Sequence, residues 1–146
     1  MILYLDTSAL IKLILDETGS AAAKDWFDHS DVVAASVIAF AEGCAALGRR
    51  HRYAENSSDL DTCIGALGAI WTKLMRISVD EQSAGRLALA HHLRGMDAIH
   101  LQAAIDLRSQ ACGNGSAGTV TLLTFDHELS DAAEREGFAT LGGDID

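Results

Sequence analysis

Four carboxylates stand where their residue type could do chemistry: Asp6, Glu42, Asp97 and Asp126. Asp6 interrupts an apolar opening, Met1-Ile-Leu-Tyr-Leu-Asp6-Thr7-Ser8-Ala9-Leu10-Ile11-Lys12-Leu13, and two hydroxyls follow it directly. Glu42 lies inside Val37-Ile-Ala-Phe-Ala-Glu42-Gly-Cys-Ala-Ala-Leu47. A carboxylate in such surroundings is costly unless it is hydrogen-bonded, paired, protonated or bound to a metal. Several in one pocket would also raise one another's pKa values, and a hard divalent cation resolves that conflict. Carboxylate and hydroxyl oxygens without His or Cys suit Mg²⁺ or Mn²⁺ rather than zinc. An ion so held can activate water toward a phosphodiester and stabilise charge on the departing oxygen, so no side-chain nucleophile is needed.

Each acid also has a plain local use. Asp6-Thr7-Ser8 and Asp126 can cap helix N-termini, Asp97 suits the first turn of a helix, and Glu42 can face water. What joins the four is the order of elements around them.

Ile2 to Leu5 reads as a short buried strand, followed by a helix over Ala9 to Leu15. Ser20 can cap a second helix, and Asp31 to Ala35 returns as a strand. Ser36 can cap a helix from Val37 to about Arg50. After a polar turn, Glu55 to Asp59, the residues Ile64, Leu67, Ile70, Trp71 and Leu74 recur at helical spacing. A short strand at Ile77 to Val79, a helix at Glu81 to Leu93 and a further helix beginning at Asp97 follow. Gly113 to Gly118 is a loop, Thr119 to Phe125 a buried strand, His127 to Glu136 a helix stopped by Gly137, and Phe138 to Leu141 an edge strand. Strands alternating with helices predict an α/β sandwich around a mainly parallel sheet. Ligands of such sheets bind beyond the carboxyl ends of the strands, where Asp6 and Asp126 both stand.

The chain resembles the PIN-domain ribonucleases, in particular the VapC-type toxins of bacterial toxin–antitoxin pairs. The resemblance rests on Leu5-Asp6-Thr7-Ser8-Ala9-Leu10 with Lys12, on Ser36 to Glu42, on Gly95-Met-Asp97-Ala-Ile-His100-Leu-Gln-Ala-Ala104, and on Leu122-Leu-Thr124-Phe-Asp126. It implies a PIN-like three-layer sandwich over residues 1–146 as a single domain. It also implies an acidic quartet of Asp6, Glu42, Asp97 and Asp126 that holds Mg²⁺ or Mn²⁺ and cleaves RNA. Asp6 and Asp97 would be the principal ligands, Glu42 the next, and Asp126 the one acting through water. Thr7, Ser8 and Thr124 match the family's polar positions beside the acids. The implied partners are an RNA substrate, a VapB-like antitoxin that presents an arginine to the carboxylates, and a second copy of the chain.

Other residues weigh less. Arg49-Arg50-His51-Arg52 is the one concentrated basic run and could meet RNA phosphates, or complement a helix C-terminus. Lys12 could approach the cleft from one turn beyond Asp6, or only extend its stem along apolar surface. His100 shares a helical face with Asp97 and reads as a packed or supporting histidine rather than a ligand. A haloacid-dehalogenase-type phosphatase also begins with a strand ending in Asp, but it would want D-x-D where this chain has Ser8. No G-x-S-x-G elbow supports a serine hydrolase. A non-catalytic module using an acidic pocket to bind a basic partner segment is the alternative from another class.

Composition narrows the setting. The 146 residues suit one domain with an adequate core, and the net charge of −10 disfavours broad electrostatic attachment to nucleic acid. Cys44, Cys63 and Cys112 are too scattered for a disulfide framework or a zinc ribbon, and read as small core residues in a reducing cytoplasm. No basic leader region precedes the first strand, and no apolar stretch approaches the roughly eighteen residues of a membrane span. A cytoplasmic protein is expected.

Overall fold

Along Ile2–Leu5 (β1), successive side chains part to opposite sides of one sheet, as the two-residue period of a strand requires. Leu3 and Leu5 enter one apolar layer and Tyr4 the other, and all three are fully buried. The computed structural model describes residues 1–53, 59–115 and 119–143. Its further elements are α1 (Thr7–Ile14), α2 (Ser20–Asp28), β2 (Val32–Ser36), α3 (Ile38–Tyr53), α4 (Leu60–Trp71) and β3 (Met75–Ile77). They continue as α5 (Glu81–His91), α6 (Gly95–Gly113), β4 (Val120–Leu123), α7 (His127–Arg135) and β5 (Ala139–Leu141).

The five strands form one parallel sheet in the order β3-β2-β1-β4-β5. Helices α1 to α4 cover the Leu3 and Leu5 face, and α5 to α7 cover the Tyr4 face. This is the predicted α/β sandwich. The chain leaves β1 for β2 on one side and later returns to β4 on the other, so β1 is where the strand order reverses. A crevice is expected at the carboxyl ends there. Leu5 is level with both Ala35 and Leu123, which sets Asp6, Ser36 and Thr124 side by side just beyond the sheet.

Every predicted strand and helix is present, with three local corrections. Ser20 does not cap α2; Gly19 holds that position, and the Ser20 hydroxyl donates to the Leu15 carbonyl at 2.7 Å while accepting from the Glu17 N–H. Ser20 therefore closes the α1–α2 turn. The helix predicted from Asp97 begins at Gly95, because a glycine in the first turn has no i−4 bond to lose there. Strand β3 precedes the predicted span, ending at Ile77 rather than starting there. Of the cysteines, Cys63 is buried and Cys44 half-buried, but Cys112 is exposed near the end of α6. Residues 55–58 of the predicted polar turn and 116–118 of the predicted loop lie outside the described residues.

Two glycines act through their backbone. Gly137 (φ 83°) makes the left-handed turn that ends α7. Gly142 (φ 98°) follows β5, and a Cβ on it would stand 2.5 Å from the Thr124 carbonyl oxygen. The neighbouring Thr124 N–H donates to the Leu141 carbonyl at 3.1 Å. Among the described residues, no helix is long and apolar enough to cross a membrane.

Candidate active site

Asp6 ends β1 and caps α1, its Oδ1 accepting from the Ala9 N–H at 2.9 Å. The side chain is nearly enclosed, at 4% exposure, and its oxygens are fully engaged. Ser8 Oγ donates to Oδ1 and Oδ2 at 2.7 and 2.9 Å, and Thr124 Oγ1 donates to Oδ2 at 2.6 Å. Burial raises the Asp6 pKa above its ordinary value, against the hydrogen bonds from Thr124, Ala9 and Ser8, which lower it. The same hydroxyls tie the second strand end to the first: Ser8 Oγ accepts from the Phe125 N–H at 2.9 Å and Thr124 Oγ1 from the Asp126 N–H at 3.0 Å.

Glu42, in the second turn of α3, meets a buried relay. Ser36 N–H donates to the Tyr4 hydroxyl at 3.2 Å, Tyr4 lies 2.9 Å from His100 Nδ1, and His100 Nε2 lies 2.8 Å from Glu42 Oε1. The His100 tautomer with its proton on Nε2 satisfies every partner: Tyr4 donates to Nδ1 and Nε2–H donates to Glu42. Burial drives the Tyr4 pKa well above its ordinary value, so the phenol keeps the proton this direction needs. Thr7 Oγ1 donates to the same Glu42 oxygen at 2.7 Å. Burial alone would raise the Glu42 pKa; the His100 and Thr7 hydrogen bonds, with the charge of Arg49, outweigh it and hold the carboxyl below its usual range.

Asp97 and Asp126 are joined by a residue absent from the sequence expectations. Arg94 Nε donates to Asp97 Oδ2 and its second nitrogen to Asp126 Oδ2, both at 2.8 Å. Asp97 lies in the first turn of α6, and Asp126 caps α7 with its other oxygen, Oδ1, accepting from the Leu129 N–H at 3.0 Å. Both placements favour a carboxylate. The Asp97 hydrogen bond, then the charges of both acids, raise the Arg94 pKa further, so the bridge is ionic. Glu42, Arg94, Gly95, Met96, Asp97 and Ile99 line one cleft of about 440 Å³.

The expected acids thus stand at one edge of the sheet in three separately held groups: Asp6 with Ser8 and Thr124, Glu42 with Thr7 and His100, and Asp97 with Asp126. Among the described residues, no three His, Cys, Asp or Glu side chains converge on a point that could hold an ion. The donor chemistry nevertheless fits a hard cation. All the predicted ligands are oxygens, and a guanidinium already lies between two of them, supplying positive charge where an ion would.

The predicted basic residues divide. Lys12 Nζ reaches Glu17 at 3.0 Å and lies over the Phe125 ring, and Arg50 pairs with the same Glu17. Arg49 and Arg52 are exposed on the last turns of α3. The available signal for Arg94 was its spacing three residues before Asp97, which brings the two together at a helix start. Nothing comparable in the sequence pointed to Tyr4, which is separated from His100 by 96 positions.

The PIN domain family model matches residues 3–135. Ribonuclease VapC45 of Mycobacterium tuberculosis (strain CDC 1551 / Oshkosh) is 32% identical, with 99% of this chain and 98% of that protein covered. Ribonuclease VapC49 of strain ATCC 25618 / H37Rv matches equally well, at 32% identity over 149 aligned residues. Among solved structures, PAE2754 from Pyrobaculum aerophilum superposes with a TM-score of 0.67 at 20% identity, covering 96% of this chain and 83% of that one. VapBC2 from Rickettsia felis, bound to a DNA fragment from its promoter, gives a TM-score of 0.58 at 15% identity, with 97% and 98% covered. At those identities the two structures speak to the fold alone. The phosphatase alternative does not survive a family match running from Leu3 to Arg135 with relatives of one kind along nearly the whole chain, which belongs to the PIN-domain family, in its VapC group.

Proposed function

We propose that the chain is a metal-dependent endoribonuclease, the toxin of a VapBC-type pair, folded as one PIN domain over its 146 residues. The observation that carries this reading is the cleft in which Glu42 and Asp97 share a wall while Arg94 links Asp97 to Asp126. Oxygen anions gathered at one cleft are what a Mg²⁺ or Mn²⁺ site requires. Relatives named ribonuclease VapC support the substrate class.

In this reading Asp6, Glu42, Asp97 and Asp126 hold the ion. When bound, it supplies Lewis-acid activation of water and neutralises charge on the scissile phosphate. Thr7 and His100 orient Glu42 and keep it ionised. Ser8 and Thr124 hold Asp6; Ser8, whose hydroxyl is shared between both oxygens, is the contact most easily given up on ligation. In-line attack of water on phosphorus with departure of the 3′ oxygen leaves a 5′-phosphate and a 3′-hydroxyl. Arg49 and Arg52 offer exposed charge to RNA phosphates, with Lys12 and Arg50 behind them on Glu17.

Relatives named ribonuclease VapC and the acidic cleft support a VapB-like antitoxin whose guanidinium group displaces the ion. A homodimer acting in the cytoplasm completes the reading, and light scattering of the purified chain tests the dimer. The decisive experiment is cleavage of end-labelled RNA by antitoxin-free protein with Mn²⁺, Mg²⁺ or chelator, beside an Asp6→Asn, Asp97→Asn double variant purified identically. Cutting that needs the ion and disappears in the variant is expected. Equal cutting by both proteins would sink the assignment, as would a cyclic 2′,3′-phosphate product.

A further inference from the structure

The nitrogen donors around the site differ in how firmly they are built in. His100 is only 3% exposed at its side chain and Lys12 17%, whereas Arg94 is 70% exposed while reaching two carboxylates. Arg94 stands at the N-cap of α6 and makes no capping hydrogen bond with its side chain, so the helix start does not depend on where the guanidinium lies. Nor does the charge balance close. One guanidinium against Asp97 and Asp126 leaves a residual negative charge, and Glu42 faces the same cleft. A divalent ion would neutralise the pair completely.

The contested atoms are specific. Asp126 commits Oδ1 to the Leu129 N–H, so Oδ2 is the oxygen it can offer a cation, and Arg94 holds that oxygen. Arg94 also holds Oδ2 of Asp97. A Mg²⁺-sized ion draws its oxygens to roughly 2.1 Å. A guanidinium at hydrogen-bond distance and an ion at coordination distance compete for the same two oxygens.

The geometry points to Arg94 as a built-in competitor of the metal: it bridges Asp97 and Asp126 and must loosen its grip on their oxygens as an ion takes them. This rests on the proposed metal reading and adds a residue to it. The chain thereby carries in itself a guanidinium lock of the kind proposed for its antitoxin. Arg94 keeps two like charges together without metal, and it sets the ion concentration at which the site loads.

Calorimetric titration of the purified full-length chain with Mn²⁺ tests this, alongside melting curves with and without the ion. Arg94→Gln keeps a polar side chain and removes the charge; Arg94→Lys keeps the charge and loses the two-pronged grip. Lys24→Gln removes the same charge from the α2 surface as a control. Because exposed ion pairs are individually weak, Arg94→Gln should tighten Mn²⁺ binding about five- to tenfold. Arg94→Lys should tighten it less, and Lys24→Gln hardly at all. The ion should also raise the melting temperature of Arg94→Gln more than that of wild type, since the variant starts from an unneutralised pair. If Arg94→Gln folds poorly, Arg94→Lys still reads the competition. Equal or weaker Mn²⁺ binding in both variants overturns the lock and leaves the metal site standing. No Mn²⁺ binding by any of the proteins overturns the lock and the metal reading together.

Discussion

Glu42 and the pair Asp97 with Asp126 share one edge of the sheet, yet they are stabilised in opposite ways. Glu42 is met by donors locked in the core: Thr7, and a His100 whose tautomer is set by Tyr4 and, behind it, the Ser36 N–H. The other two acids are met by a single arginine largely in solvent. A buried hydrogen-bonded relay presets one carboxylate at a fixed place, while an exposed ion pair keeps two others occupied but replaceable. On the proposed metal reading, the contrast suits a site that is ordered before the ion arrives and still has room for it.

The largest effect should come from removing the acids themselves. The Asp6→Asn, Asp97→Asn variant is expected to lose RNA cleavage by at least about a hundredfold, the scale seen when transition-state charge stabilisation is withdrawn. Single-turnover rates would check it, and retention of more than a tenth of wild-type rate would argue that these acids only shape the cleft.

Breaking the preset side comes next. His100→Ala strands the Tyr4 hydroxyl and removes a donor from Glu42, and should cost about 3 kcal/mol of stability by urea titration. Tyr4→Phe removes one link from the same relay and should cost about 1–2 kcal/mol. If Tyr4→Phe proves neutral while His100→Ala is damaging, the relay ends at the histidine and the phenol is only packing.

Acidification separates the two kinds of carboxylate within the preset part. Glu42 has a folded pKa below its ordinary 4.5, so its contribution is present above about that pH and is lost as pH falls through the lower folded value. Asp6 has a folded pKa above its ordinary 3.8, so it acts in the opposite sense: its contribution is present below about that pH and is lost as pH rises through the higher folded value. In chelator, Glu42→Gln should therefore lose less stability than wild type between pH 6 and pH 3.5. An unchanged acid slope would mean that Glu42 owes nothing net to its donors.

The smallest effect calibrates the exposed side. Arg50→Gln breaks a surface pair with Glu17 and should change stability by about 0.2–1 kcal/mol. It sets the scale against which the loss of Arg94 is to be read.

The fold was legible because its signals are local and periodic. Ile2–Leu5 was readable to the residue, an apolar run closed by an aspartate, and the alternation of strands and helices predicted the parallel sheet. The acids were legible from their settings: Asp6 closes an apolar strand, Glu42 interrupts an apolar helical stretch, and Asp97 and Asp126 stand at helix starts. What stayed hidden were partnerships across the sheet. Tyr4 reads as core, and only the strand order shows that its hydroxyl meets His100. Arg94 reaches both acids only because the start of α7 lies beside the start of α6. The cap at Ser20 failed because serine has a second use, closing a turn, that composition does not distinguish from the first.

Gly142 extends the site's dependence to a residue that carries no functional group. Any side chain there would collide with the Thr124 carbonyl, displacing the backbone from which the Thr124 hydroxyl reaches Asp6. In a selection for chains that fold but have lost cleavage, Gly142 should therefore recur among the inactivating positions beside the acids themselves. Mutational sensitivity at this edge of the sheet would follow the backbone that carries the hydroxyl as closely as the side chains that carry charge.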